Sequence, residues 1–252
     1  MLLTLDVGNT SITMGIFRGQ KLLAARRIPT HGLGVYTKPI RDFLHRQGKS
    51  HQKLSGVIIS SVVPRATAVL KRNLKELALP RPLILGEDLK APIVNRYRIP
   101  SQVGQDRLVN AIAAYELYGG PAIVVDFGTA VTIDLVSGRR EYLGGLIVPG
   151  IEIALEALSE RAALLPRIKL TPPKEFLGRD TVSSMRSGIF FGYSALCDGI
   201  VNQLKAKYAK KAKVIATGGH CRLLAPLCRT IRIVNPNLTL QGLRIIFSKK
   251  SS

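Results

Sequence analysis

Two stretches of this 252-residue chain place a carboxylate two residues before a glycine and follow the glycine with hydroxyls: Asp6-Val7-Gly8-Asn9-Thr10-Ser11-Ile12-Thr13 and Asp126-Phe127-Gly128-Thr129. Gly8 lets a turn approach a ligand closely, and Asn9, Thr10, Ser11 and Thr13 add amide, hydroxyl and N–H donors, a set that suits a phosphate. An anion beside a phosphate makes sense when a divalent cation lies between them, because Mg²⁺ is usually held by one or two carboxylates with phosphate oxygens and water. Read alone, Asp6 equally well just ends a strand. A third candidate is Asp106-Arg107, which the spacing of Leu108, Ile112, Tyr115 and Leu117 puts in the first turn of a helix. A helix N-terminus, an Asp and an Arg together can accept a proton and bind an anionic group. The competing reading is an ordinary acidic first-turn residue. Further on, Thr181 is either a ligand contact or, like Asp180, a helix N-cap. Val214–Gly219 runs into a Gly-Gly step where backbone can pass close to a nucleotide.

These residues need strand ends and helix starts to hold them. Met1 to Phe17 reads as a β-hairpin and Lys21 to Ile28 as a third strand. A Pro/Gly loop over 29–34 and a helix over 35–47 follow, the latter with Ile40, Phe43 and Leu44 on one face. Gly56–Val63 is a two-sided buried strand, Arg65–Leu77 an amphipathic helix and Pro82–Leu85 a short strand. The order β-β-β-α-β-α-β resembles the repeating unit of the α/β actin-like ATPase (ribonuclease H-like) fold, a duplicated fold whose two halves face each other across a nucleotide cleft. A duplicated fold predicts a second hairpin with a second Asp-x-Gly turn, and Ala122–Leu135 supplies it. The stretch 142–150 continues as that unit's third strand, and helices are expected near 151–163, from Asp180 to about Tyr208, and from Leu238 to Phe247. The halves are expected to be residues 1–99 and 100–252.

Composition narrows the class. With 46% hydrophobic residues the chain can bury a substantial core, and it has no apolar stretch near the ~20 residues a membrane helix needs. The N-terminus has no basic segment before Asp6 of the kind a signal peptide carries, so a cytoplasmic location is expected. Cys197, Cys221 and Cys228 show no CxxC spacing and read as reduced thiols, not metal ligands. His31, His45, His51 and His220 form no metal-binding pattern and read as surface or loop residues. The net charge of +21 attracts polyanions generally, with its densest cluster, Lys205 to Lys213, expected at the exposed end of an amphipathic helix. There is no aromatic interleaving, RNP-type pattern or zinc-finger spacing, so neither nucleic acid nor membrane is an expected partner.

Taken in order, Asp6-Val-Gly-Asn-Thr10, Ser60-Ser-Val-Val-Pro64, Gly104-Gln-Asp-Arg107 with Asn110-Ala111, Asp126-Phe-Gly-Thr-Ala130, Gly144-Gly145 with Pro149-Gly150, and Ala216-Thr-Gly-Gly219 resemble the type III pantothenate kinases. The resemblance covers nearly the whole chain. It implies ATP-dependent phosphorylation of pantothenate to 4′-phosphopantothenate, the first committed step of coenzyme A synthesis. It also implies that Asp6, Val7, Gly8, Asn9, Thr10, Ser11, Ile12 and Thr13 hold the ATP phosphates and Mg²⁺, with Thr129 contacting ATP from the second hairpin. Asp126 would ligate a monovalent cation, K⁺ or NH₄⁺. Tyr97, Gly104, Gln105, Asp106, Arg107 and Thr181 would bind pantothenate, Arg107 through its carboxylate, and Asp106 would accept the proton of the attacking hydroxyl. A homodimer is implied as well.

Two positions depart from the family pattern: Ser11 stands where Asn is common, and Val131 replaces a frequent Thr, removing a hydroxyl expected near the phosphates and with it some nucleotide affinity. Two other functions compete. One is a different actin-like phosphotransferase, disfavoured by the Gly104–Arg107 segment and the short chain. The other is a non-catalytic transcriptional accessory factor on the same fold, disfavoured because Asp6 and Asp106 are both present.

Overall fold

A computed structural model describes residues 1–31, 35–46 and 54–250, so His51 and parts of the 29–34 loop and the 35–47 helix lie outside the described residues. The chain forms two compact units. The first comprises Met1–Ile93, Arg98–Ala113 and Asn237–Ser252, the second Val94–Tyr97 and Ala114–Pro236. This differs from a single boundary at residue 100. The helix expected to open the second half begins in the first unit, and the closing helix belongs there too, because their apolar faces cover that unit's sheet.

In the first unit, β1 (Leu2–Val7), β2 (Ser11–Arg18) and β3 (Lys21–Pro29) form an antiparallel meander. After α1 (Thr37–His45), β4 (Gly56–Ser61) pairs parallel to β1, and after α2 (Pro64–Glu76), β5 (Pro82–Ile84) pairs parallel to β4. The sheet order is β3-β2-β1-β4-β5. β4 is buried on both faces, which is why Val57, Ile58 and Ile59 follow one another without a polar residue between them. Pro64 starts α2 at the position where a missing N–H costs nothing. One sheet face packs on Ile40, Phe43 and Leu44 of α1 and Leu70 and Leu74 of α2.

The chain then crosses to the second unit for β6 (Val94–Asn95), a two-residue strand that the sequence pattern does not announce. A 3₁₀ turn, Pro100–Gln102, precedes α3 (Gln105–Tyr118), whose Val109 and Ile112 pack in the first unit's other core layer.

The second unit repeats the first. β7 (Ala122–Phe127), β8 (Ala130–Val136) and β9 (Glu141–Pro149) form its meander. α4 (Ile151–Arg161) and the 27-residue α5 (Thr181–Lys207) then lead to β10 (Lys213–Thr217), parallel to β7. α6 (Cys221–Leu224) and a 3₁₀ turn precede β11 (Ile233–Val234), parallel to β10. The order β11-β10-β7-β8-β9-β6 mirrors that of the first sheet, with β6 added outside β9. The match extends to irregularities: β3 carries an extra residue, Leu23, opposite Ile16/Phe17, and β9 carries Leu143 opposite Leu135/Val136. α7 (Leu238–Lys250) returns to the first unit, where Leu240, Leu243 and Ile246 face Leu2, Phe17 and Ile58.

α5 ends at Lys207, so Lys210 and Lys211 occupy the following turn and Lys213 begins β10. The lysine cluster is thus a helix end and a turn together. The three cysteines are buried, and none is in a disulfide among the described residues. Among the described residues no helix is long and apolar enough to cross a membrane.

Candidate active site

The two Asp-x-Gly turns share one geometry. Asp6 is half-buried at the end of β1, opposite Thr13 of β2 and beside Ser60 of β4. Asp126 is half-buried at the end of β7, opposite Thr132 of β8 and beside Thr217 of β10. Residues in register project from the same sheet face, so each carboxylate is flanked by two hydroxyl side chains. Ser60 and Thr217 were absent from the sequence-predicted set. Both side chains are buried, and neither hydroxyl has a hydrogen-bond partner among the described residues. The sequence signal for them is a hydroxyl residue at or next to the end of the strand that runs parallel to each hairpin.

The first turn is braced. Gly8 N donates to Ser11 O at 3.0 Å, Thr30 Oγ1 donates to Gly8 O at 2.6 Å, and Thr30 N donates to Thr10 O at 3.0 Å. Asn9 and Thr10 are exposed, while Ser11 and Thr13 are half-buried. Val7 and Ile12 have buried side chains, so only their peptide groups can reach a phosphate. The second turn is one residue shorter: Gly128 N donates to Ala130 O at 3.2 Å, leaving Thr129 at its exposed tip. Val131 is 1% exposed in the core with Ile133 and Leu135. The expectation that its methyl replaces a phosphate-facing hydroxyl is therefore corrected: the side chain at 131 points into the core, on the face opposite Asp126 and Thr132.

β10 delivers Gly218 to the same place. Gly218 has φ +89°, and a Cβ on it would lie 2.3 Å from Asp126 Oδ1. A larger residue cannot take this position without moving the carboxylate.

Asp106 and Arg107 do begin α3. Asp106 Oδ1 accepts from Arg107 N at 2.8 Å and folds back over Gly104, where a Cβ would be 2.4 Å away. Arg107 is buried at 7% exposure and Asn110 at 2%, with Asn110 Oδ1 accepting from Thr239 Oγ1 at 2.8 Å. Gln105 lies against Gly86, 3.2 Å from where a Cβ there would stand. Tyr97 follows β6 and is half-buried in the second unit. Thr181 is the first residue of α5 and is exposed; the cap is Asp180, in a reciprocal capping box with Ser183. Hydrogen bonds from the Ser183 amide and hydroxyl hold the Asp180 carboxyl below its ordinary pKa.

No cluster of three or more His, Cys, Asp or Glu side chains among the described residues could cage a metal ion. The donors instead fit cations that share a ligand's oxygens: one carboxylate per turn, each beside a buried hydroxyl that has no partner among the described residues.

Comparison with known proteins gives the same architecture and a family. A model of the type III pantothenate kinases matches residues 2–203. A type III pantothenate kinase of Moorella thermoacetica is 44% identical over 254 residues, all of both chains, and one of Halalkalibacterium halodurans is 42% identical over 99% of both. Among solved structures, component A of the (R)-2-hydroxyglutaryl-CoA dehydratase of Acidaminococcus fermentans has a TM-score of 0.59 at 12% identity, over 100% of this chain and 99% of that one. At that identity the likeness speaks to the fold alone, the duplicated α/β actin-like arrangement. The chain belongs to the type III pantothenate kinase family.

Proposed function

We propose that this chain transfers the terminal phosphoryl group of ATP to pantothenate, giving 4′-phosphopantothenate for coenzyme A synthesis, with Asp106 as proton acceptor. Family membership supports the reaction. The repeated carboxylate-and-hydroxyl turn is the observation that supports this chain's competence for it, since both copies keep the Asp, the glycine and the two flanking hydroxyls.

Phosphoryl transfer depends mostly on positioning and charge neutralisation. The Asp6–Thr13 turn, stiffened by Thr30, presents its donors to the phosphates, and Thr129 presents a hydroxyl from the second hairpin. Asp6 would hold Mg²⁺ through the ATP phosphates, and Asp126 a monovalent cation, K⁺ or NH₄⁺. Such cations, when bound, neutralise charge on the transferring group. Asp106 orients the attacking hydroxyl and takes its proton, and its own position is fixed by the Arg107 amide. Arg107 pairs with the pantothenate carboxylate, with Tyr97, Gly104, Gln105 and Thr181 as further contacts. We place the enzyme as a cytoplasmic homodimer.

The test is phosphate transfer from Mg-ATP to pantothenate with and without K⁺ or NH₄⁺. Cation-dependent 4′-phosphopantothenate formation is expected. A folded protein that transfers nothing across nucleotides and cations would move the non-catalytic reading to first place.

A further inference from the structure

The duplication supplies an internal control for one polar cluster. At matching positions of the two meanders, the first unit has Gly15 and Leu22 where the second has Asp134 and Tyr142. In the first unit this spot holds no charged group: a Cβ on Gly15 would lie 2.8 Å from the Thr4 hydroxyl, 2.9 Å from Leu240 and 3.3 Å from Leu22. The sheet therefore forms without a carboxylate there. In the second unit Asp134 is 1% exposed and Tyr142 fully buried, and Tyr142 Oη donates to Asp134 Oδ1 at 2.8 Å while Thr132 Oγ1 donates to Oδ2 at 3.1 Å. Burying a carboxyl is costly unless it is hydrogen-bonded, and these two hydroxyls meet that need; since the first sheet forms without any such carboxylate, the pair is specific to the second unit.

Local sequence builds the pair. Asp134 lies opposite Gly145, which offers it no side chain, and the extra residue Leu143 re-aims Tyr142. Gly144, at φ +125°, carries the strand past the bulge.

The cluster touches one thing that the first unit lacks, the added strand β6 and its continuation. Val94 and Asn95 pair with Glu141 and Tyr142. Arg96 N donates to Tyr142 O at 2.9 Å, and the Arg96 guanidinium grips Glu141 Oε1 at 2.9 and 2.7 Å. Asn95 Oδ1 then turns the chain by accepting from Tyr97 N at 3.0 Å. The Tyr97 ring meets the Tyr142 ring at 6.4 Å between centroids, inclined by 43°, and lies over Gly144.

We propose that Tyr142, pinned through its hydroxyl by the buried Asp134, is a positioning residue that fixes the plane of Tyr97 and thereby the affinity of the site for pantothenate. This rests on the reading of Tyr97 as a pantothenate contact. Tyr142 acts through Tyr97 and touches neither ATP nor the reacting atoms, so its loss weakens binding and spares turnover at saturation.

The experiment compares wild type, Tyr97→Ala, Tyr142→Phe and the double variant by steady-state kinetics, with calorimetric pantothenate binding as a readout independent of turnover. Tyr142→Phe keeps the ring and removes the pinning hydroxyl. It is expected to raise the pantothenate KM and Kd by about tenfold, the scale of one lost hydrogen bond, with kcat and the ATP KM unchanged. In the Tyr97→Ala background the same change is expected to add nothing. Asp134→Asn, which preserves shape, is expected to shift KM in the same direction, and it keeps the test decisive if Tyr142→Phe folds poorly. A normal KM in both Tyr142→Phe and Asp134→Asn, with Tyr97→Ala impaired, overturns the positioning role while leaving Tyr97 as a contact. An unimpaired Tyr97→Ala overturns the reading of Tyr97 and the proposal with it. An undiminished Tyr142→Phe effect in the double variant also overturns the proposal, because Tyr142 would then act by another route.

Discussion

Gly218 sits directly against the Asp126 carboxylate: a Cβ at 218 would stand 2.3 Å from Oδ1 and 2.6 Å from the Phe127 carbonyl carbon, on a backbone with φ +89°. Gly218→Ala must therefore push Asp126 aside and also adopt a left-handed conformation that costs about 1–2 kcal/mol. The expected result is a lower Tm together with a raised monovalent-cation requirement, the latter shared with Asp126→Ala. Titrating K⁺ in the kinase assay checks it. An unchanged cation response in a folded Gly218→Ala protein would remove Asp126 from that role.

Asp106 and Gly104 make a second such pair, with 2.4 Å between Asp106 Oδ1 and a Cβ built on Gly104. Asp106→Asn keeps an oxygen able to accept from the Arg107 amide, so the helix start should stay folded while the proton acceptor is lost. Turnover is expected to fall by about 10²–10⁴-fold, the usual contribution of a positioned base. Gly104→Ala is expected to lower kcat by displacing the same carboxylate. Near-wild-type turnover in Asp106→Asn would eliminate Asp106 as the base.

Thr30 is the brace of the first turn, buried at 3% exposure and donating to Gly8 O at 2.6 Å. Thr30→Val removes the hydroxyl at nearly constant volume and leaves that carbonyl without this donor. The expected cost is about 1 kcal/mol, or about 2–4 °C in Tm for a chain of this size. A raised ATP KM with unchanged pantothenate KM should accompany it. If the two KM values rise together, the turn is not a nucleotide element alone.

What the sequence made legible was local and repeated. The Asp6 and Asp126 hairpins, the two-sided run of β4 and the first-turn placement of Asp106 all follow from patterns within a dozen residues. What it hid depends on register and on non-local packing. Ser60 and Thr217 join the hairpins only because parallel strands align them with Asp6 and Asp126. β6 is two residues long, too short for any periodicity, yet it delivers Tyr97. Val131 looked like a lost hydroxyl because its neighbours in sequence are phosphate candidates; alternation along β8 turns it into the core instead. The packing of α7 and of the first part of α3 on the first unit is hidden for a similar reason, since the chain order suggests the second.

Asp198 offers a pH test of the second unit. Its carboxylate on α5 accepts from Arg229 N at 2.8 Å, Thr230 N at 2.9 Å and Thr230 Oγ1 at 2.6 Å, tying the helix to the segment before β11. Burial alone would raise its pKa, but the Thr230 hydroxyl, the two amides and the Arg229 charge together hold it below the ordinary value. A pKa lowered by folding means that the folded state favours the charged form. That stability is complete above the unfolded value of about 3.9 and disappears as pH falls through the lower folded value. Asp198→Ala should therefore be less stable than wild type at pH 7, and the gap should narrow as both are acidified below about pH 4. Urea unfolding of the two proteins at neutral and acid pH measures it. A gap that stays constant across that range would mean that Asp198 contributes through packing alone and not through its charge.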